Sequence, residues 1–210
     1  MNVINSLEWR YATKKFNPAK KLSNQQIDTL KNAFNLTPTS FGLQPIKLIV
    51  IENKELQEKF IELAYFQRQV ADASHLLVIC IENDTTTNDI NAYFDLEKKI
   101  RNVEEATIAN FRKQLIEMYD NKTAEEKKLS AIYQTYIALG NLMTVCAVEK
   151  IDACPLEGFI PEKVDQLLNL KALNLSSVLL LPVGIRADDD IMSTLKKVRK
   201  PLNEMIIGIS

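Results

Sequence analysis

With 210 residues, 46% of them hydrophobic and 25% charged, the chain has the composition of a globular protein that can bury one sizeable core. A formal net charge of −1 argues against a nucleic-acid partner, and no apolar run approaches membrane-spanning length. Three cysteines, odd in number and without a CxxC pair, fit reduced thiols in the cytosol, and one histidine, His75, cannot build a His cluster, so no metal centre is expected.

The opening MNVINSLEWR lacks the apolar stretch of a signal peptide, and VINSLEWRYA reads as a short helix. If that helix continues, Arg10 and Lys14 share a face, being four residues apart. Ser23 and Gln26 have the spacing of a capping box, followed by Ile27, Leu30, Ala33 and Phe34 at helical intervals. TPTSFGLQP (37–45) is a loop by its Pro, Ser, Thr and Gly content. IKLIVIE (46–52) and HLLVICIE (75–82) read as strands, with a helix between them over 54–65.

Residues 88–119 carry apolar groups at helical spacing. Thr123 and Glu126 form a second capping box that opens a helix reaching about Lys150. Its middle is almost continuously apolar, which predicts a central helix covered on most sides. Pro161 fits the first position of another helix, and SSVLLLPVGI (176–185) is a buried strand. A basic segment, LKKVRKP, precedes MIIGI (205–209), which reads as a strand that pairs with another chain's sheet. The pattern is mixed α and β, with few strands and long helices, no internal repeat and no linker, so one domain is expected over residues 1–210.

Five glycines form neither GxGxxG nor a P-loop, and no GxSxG elbow occurs, so any hard chemistry falls to a bound organic cofactor. Arg10 and Lys14 near one end and Lys196, Lys197, Arg199 and Lys200 near the other would hold a phosphate dianion if the fold joins them; charge runs are more often solvated faces. Loop 37–45 offers hydroxyls, an amide and a glycine for a polar heterocycle, or is a plain connection. In CPLEGF (154–159) a carboxylate and a glycine, Glu157 and Gly158, interrupt an apolar stretch; taken alone, a turn with a solvated Glu explains them.

RYATKKF (10–16), TPTSFGLQP, DASHLLV (72–78), the Gly140-Asn141 pair, PLEGF (155–159) and KKVRKP (196–201) stand in the order and spacing of the nitroreductase family. Over almost the whole chain the sequence resembles that family, with the oxygen-insensitive NAD(P)H nitroreductase and dihydropteridine reductase branch nearest. The resemblance implies an α+β fold with a central, mostly antiparallel sheet flanked by helices, and a homodimer with C-terminal strand exchange and one FMN per subunit at the interface. It implies that Arg10, Lys14, Lys197 and Arg199 hold the FMN phosphate, with Tyr11 and Ala12 contributing backbone. Pro38, Thr39, Ser40, Gly42 and Gln44 would come from the partner subunit. Gln134 would reach the cofactor, and Pro155 and Leu156 would pack on one ring face. Glu157 and Gly158 would lie at the flavin N5 edge as the catalytic pair, the Gly158 N–H bonding to N5; a glycine there lets backbone approach a flat ring.

The activity implied is FMN-dependent oxidation of NADH or NADPH with ping-pong transfer to nitroaromatics, quinones or similar flat acceptors, Tyr65 and Phe66 lining the substrate slot. No nucleic acid or membrane partner is implied, and a cytoplasmic location is expected. Departures are local. Phe66 stands where relatives often have Asn, with Gln67 or Gln69 as replacements for its contact; Gly42 replaces a frequent Asn, and Ile46 a frequent Trp. The loss at Phe66 is the one support for a rival reading, a flavin-binding or flavin-sequestering protein with incidental turnover. His75 is expected to be a structural hydrogen-bonder.

Overall fold

The computed structural model describes residues 2–209. Helix α1 (Val3–Trp9) starts on Asn2, whose side chain accepts from Ile4 N, and stops where Arg10 turns extended. The helix therefore does not continue to Lys14, and the shared helix face does not arise. Residues after Trp9 run beside β3 (Asp152–Ala153), with Ala12 bridged to Ala153 and Thr13 N donating to Ala153 O at 3.2 Å. Arg10 and Lys14 come close all the same, because both lie near Cys154.

Helix α2 (Asn24–Asn35) carries the Ser23–Gln26 capping box as read from sequence. The 37–45 loop holds one 3-10 turn, Ser40–Gly42. Strand β1 (Ile46–Ile51) leads to α3 (Lys54–Leu63), α4 (Gln69–Asp72) and β2 (His75–Glu82). The helical stretch at 88–119 is two helices, α5 (Thr87–Arg101) and α6 (Glu105–Asp120); the break falls at Asn102, in the left-handed region that Asn tolerates. Helix α7 (Ala124–Val148) begins on its capping box at Thr123. Then follow β3, α8 (Pro161–Leu167), a 3-10 turn at Leu170–Leu173, and β4 (Leu175–Gly184). A 3-10 turn, Ile191–Thr194, and a single helical turn, α9 (Leu202–Met205), end the described chain.

The four strands form one antiparallel sheet in the order β1-β2-β4-β3. Alternation along β2 and β4 sorts their side chains into two cores. Leu76, Val78 and Leu180 face Phe60, Val70, Phe159 and Val164 from α3, α4 and the α8 side. Leu77, Ile79, Leu179 and Leu181 face Leu30 of α2 with Leu142 and Cys146 of α7. The α5–α6 pair has its own cluster of Ile90, Phe94, Ile108, Leu115 and Tyr119. The three cysteines are free and buried; burial pushes the Cys80 and Cys146 thiols up to about 12.

One expectation needs correction. Helix α7 is covered on its sheet side, where Ala131, Thr135, Ala138 and Leu142 are buried, but Leu129, Tyr133, Tyr136 and Ile137 are exposed. By length and composition alone α7 could cross a membrane, yet one face is packed into the core. Residues 205–209 form no strand in the single chain. Ile206 leaves α9 extended, and Ile206, Ile207 and Ile209 are exposed without a ladder partner among the described residues.

Candidate active site

The two basic clusters meet. Lys197 Nζ donates to Glu8 O at the end of α1 at 2.7 Å, which brings the C-terminal segment back onto the start of the chain. Burial lowers the Arg10 pKa and nearby Arg199 lowers it further; burial lowers that of Lys197 too, followed by Arg10, Arg199 and Arg186. Lys14 Nζ lies 3.9 Å from Cys154 Sγ, beside the same cluster. Among the described residues none of Arg10, Lys14, Lys197 and Arg199 has a carboxylate ion-pair partner, although Lys15 pairs with Asp189 and Arg186 with Asp152. Glu8 acts weakly on Lys197, the least of the influences on its pKa, and crowded cations without a paired carboxylate suit an anion.

The floor of this cluster is a stack: Arg186 lies over Trp9 and Tyr11, 4.3 and 4.5 Å from the ring centres, with Lys150 also over Trp9. Burial and the bond to Asp190 raise the Tyr11 phenol to about 12.

From Cys154 the chain runs on into the Glu157 turn. Leu156 is bonded in both directions to Leu180 and is 5% exposed, so its side chain belongs to the core; Pro155 keeps some open surface. Glu157 and Gly158 are exposed. Phe159 N donates to Glu157 O at 3.0 Å, and Gln67 Nε2 donates to Gly158 O at 2.9 Å. The Gly158 N–H has no acceptor among the described residues. In a trans peptide it points opposite to Glu157 O, hence away from the closed side of the turn. Tyr136 Oη donates to Glu157 Oε1 at 2.9 Å. A Cβ built on Gly158 would lie 3.9 Å from the Tyr65 ring; Tyr65 and Phe66 are both exposed and both have positive φ, 52° and 61°. Gln67 spends its amide N–H groups on Ala64 O and Gly158 O.

The loop residues are elsewhere. Gln134 Oε1 accepts from Ser40 N at 2.9 Å and its Nε2 donates to Ser130 O, so Gln134 pins the loop to α7. Gln44 Nε2 caps Asn35 O, Gln44 N donates to Thr39 Oγ1, and Pro38 is exposed. Gly42 has φ 73°, and a Cβ there would meet the Tyr93 ring at 2.9 Å. Gln134 and Tyr136 are two residues apart, roughly 200° around the helix. One chain therefore presents the loop and the Glu157 turn on different sides of α7. Asp190 and Tyr136 were not singled out in sequence. Asp190 sits in a run of three aspartates, and only its place before the 3-10 turn marks it as a cap.

Residues 7–185 match the family model described as "Nitroreductase family". The chain belongs to the nitroreductase family. A Staphylococcus epidermidis relative named "Putative NAD(P)H nitroreductase" is 33% identical over 172 residues, 80% of this chain and 78% of that protein. Among solved structures, a nitroreductase-like protein from Streptococcus mutans superposes with a TM-score of 0.86 at 22% identity, covering 99% of this chain and 98% of that one. A structure from Exiguobacterium sibiricum, described as "a putative nitroreductase in complex with FMN", gives 0.85 at 19% identity over 100% and 98% of the two chains. The nitroreductase fold is thus shared across nearly the full length. The antiparallel sheet and long helix expected from the sequence are both present.

Proposed function

We propose that this nitroreductase is a single-domain, FMN-dependent NAD(P)H oxidoreductase that reduces nitroaromatics, quinones or similar flat electron-poor acceptors. The observation that carries the reading is the meeting of Arg10, Lys14, Lys197 and Arg199 from opposite ends of the chain without a carboxylate partner. FMN fits the residues present, since its phosphate matches that cluster and its ring edge matches the unpartnered Gly158 N–H. Held by these residues, FMN would supply the redox chemistry that links NAD(P)H to the acceptor in alternating half-reactions.

The chain's own part is binding and orientation. Arg10 and Arg199 give planar donors to a phosphate, and Lys14 and Lys197 point charges. Gly158 N–H would donate to the ring edge. The Glu157 charge, fixed by Tyr136, keeps anionic groups away from that edge. Pro155 offers ring-packing surface, and Tyr65 and Phe66 line the acceptor slot. Pro38, Thr39, Ser40, Gly42 and Gln44 complete the site from a second copy, which accounts for their place on the other side of α7.

Three features support that homodimer with exchanged C-terminal ends. Among the described residues the outer edge of β1 is unpaired. A groove of about 490 Å3 lies along it, lined by Phe34, Ile46, Leu48 and Val50 among others. The apolar end of the chain is exposed and extended, the state of a strand without its sheet.

The test is an absorbance spectrum of the purified protein, repeated after denaturation, followed by rapid mixing with NADH or NADPH. The expected result is released FMN and fast bleaching of the bound flavin. Flavin that bleaches far more slowly than turnover leaves a sequestering protein; a colourless protein that takes up no FMN sinks the reading.

A further inference from the structure

The basic segment at residues 196–200 has little to hold it. All five residues are exposed, no regular structure spans them, and the one bond that carries them to α1 is from Lys197. Something upstream must set where the segment departs. That point is Asp190, 3% exposed and immediately before the 3-10 turn at Ile191–Thr194. Its Oδ2 accepts from Tyr11 Oη at 3.0 Å, Lys14 N at 3.0 Å and Lys15 N at 3.2 Å, and its Oδ1 accepts from Met192 N at 3.1 Å.

One carboxylate therefore touches both strands of the cradle. It clamps the backbone beneath Lys14 on one side and caps the turn that launches Lys197 and Arg199 on the other. Ala187 N adds a bond to Lys15 O at 2.8 Å along the same seam. Burial alone would raise the Asp190 pKa, but the donors from Lys15, Lys14, Met192 and Tyr11 outweigh it and hold the group below its usual range. The group is thus an anion that attracts backbone N–H groups. Among the described residues it makes no ion pair; its bonds go to three backbone N–H groups and one phenol.

We propose that Asp190 is the positioning residue of the phosphate cradle: it aligns the two basic segments on one anion without touching that anion. The inference rests on reading the basic cluster as the FMN phosphate site. An asparagine cannot replace the carboxylate, because its single oxygen cannot serve both Met192 N and the three donors on the other side.

The experiment measures binding of FMN and of riboflavin, which lacks the phosphate, to wild type and to Asp190→Asn. Wild type is expected to prefer FMN. In Asp190→Asn the FMN dissociation constant is expected to rise about tenfold while that of riboflavin changes less than about twofold, the loss being confined to a charge-assisted contact. A merely structural role would weaken both ligands together, and that result overturns the proposal, as does an unchanged preference for FMN. A wild type that binds both flavins equally removes the phosphate reading itself. Should Asp190→Asn fail to fold, Tyr11→Phe decides: removing one of the four donors is expected to narrow the preference about threefold, and an unchanged preference overturns the proposal.

Discussion

The hydroxyl of Tyr136 on α7 donates to Glu157 Oε1 at 2.9 Å, tying the central helix to the turn that presents Gly158. That bond to Glu157, with smaller effects from burial and the Glu157 charge, raises the Tyr136 phenol above its ordinary 10.0. Replacing Glu157 by Gln removes the anionic acceptor. The Tyr136 phenol is then expected to titrate at lower pH, read as the ultraviolet difference between Glu157→Gln and a Glu157→Gln/Tyr136→Phe double variant. An unmoved titration would mean that the pair does not persist in solution.

Two glycines should respond to alanine in opposite ways. At Gly184 a Cβ would lie 2.8 Å from Ser74 N and 3.0 Å from Phe16, backbone and a fully packed ring that cannot give way. Gly184→Ala is expected to cost about 1–3 kcal/mol, with the melting temperature falling by roughly 5 °C. At Gly158 the nearest atom is Gln67 Nε2 at 3.3 Å, the end of a flexible side chain. Gly158→Ala should melt close to wild type yet oxidise NADH about tenfold more slowly, because the ring edge no longer reaches the backbone. Equal melting and equal rates for both variants would contradict this.

Phe66 holds a φ of 61° while 74% exposed, next to Tyr65 at 52°. A bulky side chain in that region is strained, and burial offers no compensation here. Phe66→Asn is expected to stabilise the protein by about 0.5–1 kcal/mol in urea denaturation. It should also raise KM for a nitroaromatic with little change in kcat, as lost stacking surface predicts. A destabilised variant with unchanged KM would assign Phe66 to packing instead.

Much of the fold was legible because its signals are local. The capping boxes at Ser23 and Thr123 and the β-branched run at 75–82 need only neighbours to act. The family motifs likewise pointed to the basic clusters and the Glu157 turn. What the sequence concealed depends on distant partners. After Trp9 the chain leaves the helix because β3 receives Ala12 and Thr13 and residues 185–187 receive Lys15 to Asn17, which no helical pattern reveals. Residues 205–209 look like a strand but have no ladder within one chain. Asp190 and Tyr136 matter through residues 176 and 21 positions away, so spacing carried no trace of them.

His75 gives a pH dependence with a definite sign. It is buried on β2, with Ser74 Oγ at 2.9 Å from Nδ1. Burial lowers its pKa below the ordinary 6.5; Glu52 opposes this, and Lys21, Lys54 and Lys31 add to it. Below 6.5 the unfolded chain takes up a proton that the folded chain resists, so stability falls as pH drops from there through the folded pKa. Urea midpoints at about pH 7.5 and about pH 5.5 should therefore differ more for wild type than for His75→Gln. Equal differences would remove His75 from the pH response.

Gly140 offers a test of the proposed dimer. It lies in the middle of α7, where glycine costs about 1 kcal/mol relative to alanine. Within one chain nothing explains it, since a Cβ there would meet no atom within 4 Å. It follows Tyr133, Tyr136 and Ile137 along the exposed stripe. Judged on one chain, Gly140→Leu should raise helix stability. Judged on two copies packing α7 against each other, the same change inserts a side chain where backbones approach. The expected outcome is a folded protein, with circular dichroism like wild type, whose dimer dissociates at least about tenfold more readily in sedimentation and sheds FMN on dilution, a shift of about 1.4 kcal/mol. Removing residues 206–210 should weaken the dimer through a different surface, the β1 edge. A more stable protein with unchanged sedimentation and flavin retention would place the α7 stripe outside the interface.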